Sequence, residues 1–338
     1  MNDQHRAIFP AMVNRLADLS PDSAFGQWFE DNLPVMEERL TIVKDLLAKP
    51  VNDLNFNMAI NAIHFMVDKF PLMITRLEPD APIFRARPNY GELFSEQQDI
   101  SYNKKCPERI LAGRFNRPME PLFYGALRVD NPQTNHVLSS ALESCKELID
   151  VHHPPEVQDL TVGQWLTTDL VPVVNLCFDS RHLEGNEMLR KSAEQYEAEM
   201  RSFFSPEATA FIFKFMQFFS ELSRSTNQAQ PNAYYILNAF FYAVRYYYAN
   251  SCNTAIPGVI YPGMMSEARG LNIVLVPQAV DRFLKLNRVM MQRFSLAPGT
   301  KTFTSMPCSA LLTPVNGRFQ FHNVPPYRKN GVLIYYTD

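Results

Sequence analysis

The chain has 338 residues, of which 46% are hydrophobic and 20% are charged. These values are close to the average of globular proteins, and no apolar stretch approaches the roughly 18 residues that span a bilayer. A formal net charge of -3 argues against general nucleic-acid binding, which depends on positive charge. The polar start of the chain lacks the apolar segment of a secretory signal, so we expect a cytoplasmic protein.

The cysteines and histidines predict neither disulfides nor a metal site. The cysteines are odd in number, scattered and free of C-x-x-C pairs, which favours reduced and mostly buried thiols. They are Cys106, Cys145, Cys177, Cys252 and Cys308. His152 and His153 are adjacent but precede two prolines, a pattern more typical of a loop than of a metal site.

The first part of the chain predicts a group of packed helices. Apolar residues recur at steps of three and four in three segments. These segments are Met12 to Leu19, Met36 to Leu47 and Ile60 to Val67. Pro21, Pro34 and Pro50 predict breaks between the helices, because proline lacks the backbone N–H donor.

A domain boundary is predicted at the proline-bearing segment 77–82, where the pattern changes. We therefore expect a helical extension over 1–78 and a second domain over 83–338 with a helical insertion around 185–224. A further helix, over 232–250, carries six of the fourteen tyrosines. It is most simply a buried or interface helix, with a ligand-binding role as the alternative.

The second part predicts strands around the helices. Short apolar or alternating runs flanked by turn residues indicate strands in several segments. These are 83–87, 122–127, 255–262, 272–277, 289–294, 310–315, 318–322 and 332–336. A helix is predicted from Leu138 to Leu148, with Glu143 at the edge of its apolar stripe, and Asn316-Gly317 is the clearest hairpin turn.

An ordered set of polar residues resembles the signature of the RES domain family. Arg85 lies on an early strand, Gly113 to Asn116 read Gly-Arg-Phe-Asn, Tyr124 lies on the next strand and Glu143 on the following helix. The later segments 258–262 and 272–275 resemble the strand pair that closes the sheet in this family. The resemblance extends over about 84–276.

The resemblance implies both a fold and a reaction. The fold would be α/β (α+β), with a mixed sheet core similar to that of RES and ADP-ribosyltransferase proteins, an N-terminal helical extension and helical insertions. The reaction would be that of an NAD glycohydrolase or NAD phosphorylase, with NAD as substrate, inorganic phosphate as an optional co-substrate and no cofactor. Many family members are toxins, so a cognate antitoxin is an expected partner, and the N-terminal helices or the tyrosine-rich helix would also suit a homodimer.

Each residue type suits a part of this reaction. Arg85 and Arg114 offer planar forks of donors for the two phosphates of NAD. Glu143 would stabilise the positive charge that builds on the ribose when nicotinamide leaves. Tyr124 would contact the nicotinamide riboside, and Asn116 and Ser266 are further candidate substrate-binding residues.

Simpler interpretations stay open beside these roles. Arg85 and Arg87 are alternatively solvent-facing charges of an edge strand, and Tyr124 and Glu143 alone would be a core residue and a solvated helix residue. Gly263 stands where the family usually has serine, so the alternative function is a non-catalytic nucleotide- or protein-binding module. A purely helical interaction protein is a third hypothesis, and a nucleic-acid role is the least favoured.

Overall fold

The computed structural model describes residues 24–128, 135–145, 148, 157–178, 183–184, 186–225, 230, 232–263, 270–296, 303–329 and 332–336. Seven α-helices and eleven strands lie within these residues. The helices are α1 (Ala24–Asp45), α2 (Asp53–Val67), α3 (His136–Ser144), α4 (Glu187–Phe203), α5 (Pro206–Arg224), α6 (Ala233–Ser251) and α7 (Pro277–Phe283). The strands are β1 (Ile74–Leu77), β2 (Pro82–Pro88), β3 (Phe123–Leu127), β4 (Val157–Thr167), β5 (Val171–Asn175), β6 (Gly258–Pro262), β7 (Leu271–Leu275), β8 (Leu284–Leu296), β9 (Phe303–Pro307), β10 (Tyr327–Lys329) and β11 (Val332–Ile334).

The chain divides into two compact units, each assembled from separate stretches of sequence. The first unit comprises Met1–Arg76, Glu108–Glu120 and Pro172–Met264. The second comprises Leu77–Pro107, Pro121–Val171 and Met265–Asp338. The fold class is therefore mixed α/β, with helices and strands in both units.

The first unit has a helical, aromatic core. Phe70 contacts Phe215 of α5 with ring centroids 5.2 Å apart, and Phe219 of α5 lies 4.4 Å from Phe240 of α6. Its strands follow the order β1-β5-β6, and β5 and β6 run parallel. The interpretation of α6 as a buried helix is confirmed for Phe240 and its buried neighbours, whereas Tyr246 is exposed.

The predicted helix break at Pro34 is absent. Helix α1 continues through Pro34, where the sequence predicted an end. Pro34 lies on the exposed side, while Phe29, Met36 and Leu40 are buried on the other side of the helix. Burial of this apolar stripe outweighs the single backbone hydrogen bond that the proline removes. The predicted break at Pro50 is confirmed, because α2 starts after it with Asn52 as its N-cap.

The second unit is built on an antiparallel sheet with the strand order β7-β3-β2-β4-β8-β9. Helix α3 packs on one face of this sheet, where Ala141 and Leu142 join Ala86 of β2 and Val162 of β4 in a buried cluster. Strands β2 and β3 approach closely at Gly125. A Cβ atom at this position would lie 2.7 Å from Ile83 Cγ2 and 3.0 Å from the Phe84 carbonyl oxygen, so the close pairing requires glycine.

The predicted C-terminal strands are only partly present. Strands β8 and β11 form, but 310–315 and 318–322 contribute single bridges, between Leu312 and Val289 and between Val315 and Arg318. Both predictions were wrong: Leu311 and Val315 are exposed and find no strand partner, whereas Phe319 and Phe321 are buried without forming a ladder.

The predictions for a hairpin turn and for the cysteines are confirmed. The Asn316-Gly317 turn is confirmed, with positive φ angles of 51° and 75° at its two residues. All five cysteines are free, four of them buried and Cys106 half-buried, as expected. Helix α3 ends at Ser144, before the predicted Leu148, and 298–299 and 330–331 lie outside the described residues.

Candidate functional site

Arg85 lies in the interior of the sheet of the second unit. Strand β2 is flanked by β3 and β4, and Arg85 is the register partner of Gly163. The edge-strand interpretation of Arg85 and Arg87 is therefore wrong. Alternation along β2 directs both arginines to the face opposite Phe84 and Ala86, and the Arg85 guanidinium lies 5.0 Å from the ring centre of Phe123.

Among the described residues, the Arg85 guanidinium has one hydrogen-bond partner and no carboxylate partner. Its Nη1 donates to the main-chain oxygen of Tyr124 at 2.5 Å, while its buried Nε has no acceptor within this part of the chain. Among the residues that the structure describes, no Asp or Glu forms an ion pair with Arg85. A half-buried positive charge without a counter-charge is costly, and a bound anion would offset that cost.

The pKa of Arg85 reflects its burial. Burial, together with repulsion from Arg87, lowers the pKa of Arg85 to about 10, and Tyr124 acts in the opposite direction. A guanidinium with this pKa is still positively charged at neutral pH, so Arg85 presents a full charge in a poorly hydrated place.

Arg87 differs from Arg85 although it lies on the same face of β2. Its Nη1 donates to the main-chain oxygen of Asp99, and its guanidinium lies 5.1 Å from the ring centre of Phe94. Arg87 thus fastens the 3-10 turn Gln97–Ile100 to the sheet.

Tyr124 and Glu143 belong to the same unit as Arg85. Tyr124 is half-buried on β3 opposite Val274, and its carbonyl holds Arg85. Glu143 is half-buried in the last turn of α3, the helix that packs on β2 and β3. The Arg85 guanidinium thus contacts the main chain of Tyr124, whereas Glu143 belongs to the helix on the face of the sheet opposite the Arg85 side chain, and no ion pair joins the two.

Arg114 and Asn116 lie in the first unit, where they form an ordered loop. The Arg114 guanidinium lies 5.6 Å from the ring centre of Tyr234 and 5.8 Å from that of Tyr261. Asn116 is buried, and its amide nitrogen donates to the carbonyls of Leu111 and Arg117 at 2.9 Å each. The amide hydrogens of Asn116 therefore hold the backbone of its own loop.

Asn238 of α6 is a contributor to this loop that sequence reasoning missed. Its amide nitrogen donates to the carbonyls of Gly113 at 3.0 Å and Tyr234 at 2.5 Å. The signal was available, because Asn238 is a polar residue within the apolar stripe of an aromatic helix, where a buried amide needs partners.

Several candidates lie outside the described residues. These are Ser266, His152, His153 and the loop 129–134 that precedes α3. Within the described part of the chain, no group of three or more His, Cys, Asp or Glu side chains has the arrangement of a metal site.

Comparison with known proteins does not assign this mixed α/β chain to a family. No protein-family model matches the chain, and no curated protein shows significant similarity to it. None of the helices formed by the described residues has both the length and the apolar character needed to cross a membrane.

Proposed function

We propose that residues 83–338 form a RES-like, ADP-ribosyltransferase-like domain that binds NAD and cleaves its bond between nicotinamide and ribose. The observation that carries the proposal is Arg85: a buried Nε without an acceptor, on a guanidinium without a carboxylate partner among the described residues. Phosphate oxygens are the acceptors that an arginine fork matches best, and NAD carries two phosphates.

Glu143 would provide the electrostatic part of the reaction. Cleavage transfers the electron pair of the glycosidic bond to the nicotinamide nitrogen and leaves positive charge on the ribose. A carboxylate close to that carbon stabilises the charge as it develops. Water then forms ADP-ribose and releases its proton, or inorganic phosphate forms the 1-phosphate of ADP-ribose.

Tyr124 would position the substrate. Its side chain, on the same face of the sheet as helix α3, offers a flat surface with a polar end for the nicotinamide riboside, while its carbonyl holds Arg85, whose side chain lies on the other face. The same resemblance makes the protein a candidate toxin of the cytoplasm, and a cognate antitoxin its proposed partner.

The decisive experiment measures nicotinamide release from NAD by the purified protein, with and without inorganic phosphate. We expect release by the wild type, a loss on the order of a hundredfold in kcat for Glu143→Gln, and mainly a raised KM for Arg85→Gln. Arg282→Gln, which changes an exposed arginine of α7, is the matched control and should behave as wild type.

Calorimetric titration with NAD separates this enzyme from the alternative function. NAD binding that Arg85→Gln abolishes, without nicotinamide release, would identify a non-catalytic nucleotide-binding module. Absence of both binding and release would overturn the proposal.

A further inference from the structure

The second unit contains a cavity of about 390 Å³ that the proposed reaction does not use. Phe84 of β2, Val162 of β4 and Met290 of β8 line its apolar part. Because Phe84 and Arg85 are consecutive in a strand, the cavity opens on the face of the sheet opposite the Arg85 side chain.

A β-bulge builds the polar end of the cavity. Gln164 of β4 pairs with Arg288 of β8, but the next residue, Trp165, pairs with Leu286, so that Asn287 is one residue in excess. Consecutive residues of a regular strand point to opposite faces, and only one of two neighbours would reach the cavity. The bulge allows both Asn287 and Arg288 to line it.

The polar groups at this end offer donors to an anion. The Asn287 amide nitrogen donates to Gln164 Oε1 at 3.0 Å, which directs the Gln164 amide so that its Nε2 is left as a donor. In the described stretches of the chain, no carboxylate pairs with Arg288. A guanidinium and an amide N–H at one end of a cavity are complementary to a carboxylate.

The other walls of the cavity suit an apolar body, and Phe84 lies beside Gln164 as its register partner. The Phe84 ring packs against the ring of His136, with the two ring centres 4.2 Å apart, so this wall of the cavity is held in place. Val162 and Met290 are register partners across β4 and β8 and form the adjacent surface. Ligand cavities of several hundred Å³ with mostly apolar walls and a few polar groups are typical of sites for small organic molecules.

We propose that this cavity is a binding site for a small amphipathic carboxylate, with the carboxylate at Arg288 and Gln164 and the apolar body against Phe84. Arg288 and Gln164 are register partners and therefore face the same cavity, and the bulge adds Asn287, whose amide holds the Gln164 side chain.

The test uses 2-naphthoate as the probe and its uncharged counterpart, 2-naphthamide, in calorimetric titrations of the full chain. We expect naphthoate to bind the wild type and Arg288→Gln to weaken that binding about tenfold or more, because a charge-assisted hydrogen bond is lost. Naphthamide binding should be unchanged by the substitution, and Arg282→Gln should leave both affinities unchanged.

A second variant tests whether the effect of Arg288→Gln is indirect. Gln164→Glu places a negative charge beside the proposed carboxylate and should abolish naphthoate binding while retaining naphthamide binding. Equal naphthoate affinity in the wild type, Arg288→Gln and Gln164→Glu would overturn the proposal, as would absence of naphthoate binding to the wild type at millimolar concentration.

Discussion

Arg293 of β8 binds both carboxylate oxygens of Asp159, its register partner on β4. The Nε–Oδ1 and Nη2–Oδ2 distances are both 2.8 Å, and the carboxylate is completely buried. The Tyr336 hydroxyl donates to Oδ2 at 2.8 Å, and Arg293 also donates to the carbonyl of Pro325 at 2.7 Å. The pair therefore fastens the C-terminal segment to the sheet as well as joining two strands.

Asp159→Asn should strongly destabilise the protein. The substitution leaves the Arg293 guanidinium without its counter-charge in a buried position, and we expect the free energy of unfolding to fall by about 3 kcal/mol or more. Chemical denaturation measures the change. Glu197→Gln, which breaks an exposed ion pair with Arg201 within α4, is the control and should cost less than about 0.5 kcal/mol. Similar losses in the two variants would contradict the role of burial.

Tyr336→Phe should loosen the hairpin of β10 and β11. The variant loses the hydroxyl that reaches Asp159, a hydrogen bond to a charged group that is typically worth about 1.5 to 3 kcal/mol. We expect faster amide hydrogen exchange in residues 327–329 and 332–334. Tyr335→Phe removes an exposed hydroxyl one residue earlier and should leave exchange unchanged. Equal exchange rates in both variants would show that the hydroxyl does not hold the hairpin.

Asn238→Ala should release the loop that carries Arg114. The variant loses the donors to the Gly113 and Tyr234 carbonyls, and we expect faster proteolysis within residues 108–120 and a stability loss of about 1 to 3 kcal/mol. Asn250→Ala provides a matched control on the same helix, because its amide bonds only the carbonyl of Tyr246, at an exposed site. The prediction fails if both variants are cleaved at the same rate.

Tyr102 should contribute to alkaline unfolding. Its hydroxyl donates to both oxygens of Asp281, and burial together with this carboxylate raises its pKa from 10.0 to about 12. The contribution to stability is complete below pH 10 and is lost as the pH rises through about 12, since the unfolded chain ionises first. Tyr102→Phe should therefore lose stability less steeply than the wild type across this window.

Thermal unfolding between pH 8 and pH 11.5 tests the Tyr102 prediction. The difference between the wild type and Tyr102→Phe should narrow as the pH rises, whereas Tyr335→Phe should follow the wild type throughout. Parallel curves for the wild type and Tyr102→Phe would contradict the assignment.

Patterns of neighbouring residues were sufficient to predict some of the strands and one turn. Strands β2 and β3 follow from their alternating or apolar runs, and the Asn316-Gly317 turn follows from residues that tolerate positive φ. Strand β4 was missed because Gln158, Asp159 and Thr161 interrupt its apolar pattern although all are buried. Their partners, such as Arg293, are distant in sequence, so the burial of these polar residues is decided by tertiary contacts.

The candidate site was likewise predictable in its residue types but not in its tertiary contacts. The residue type at Arg85 predicted phosphate binding and that at Tyr124 predicted contact with nicotinamide riboside, and the structure joins the Arg85 guanidinium to the Tyr124 main chain. That no described carboxylate pairs with Arg85 is a property of the folded chain that residue spacing does not reveal. The cavity beside Phe84 was likewise hidden, because the excess residue at Asn287 is visible only when β8 is aligned with β4.

That excess residue also shapes the burial pattern of β8. Leu286 and Val289 are both buried, although they are three positions apart, a spacing that a regular strand would send to opposite faces. Their partners Trp165 and Gly163 on β4 are two positions apart, so the bulge brings both residues to the same face. Deleting Asn287 would therefore leave these pairs in phase on a regular strand, and the change would fall on the cavity, which would lose the amide that holds Gln164.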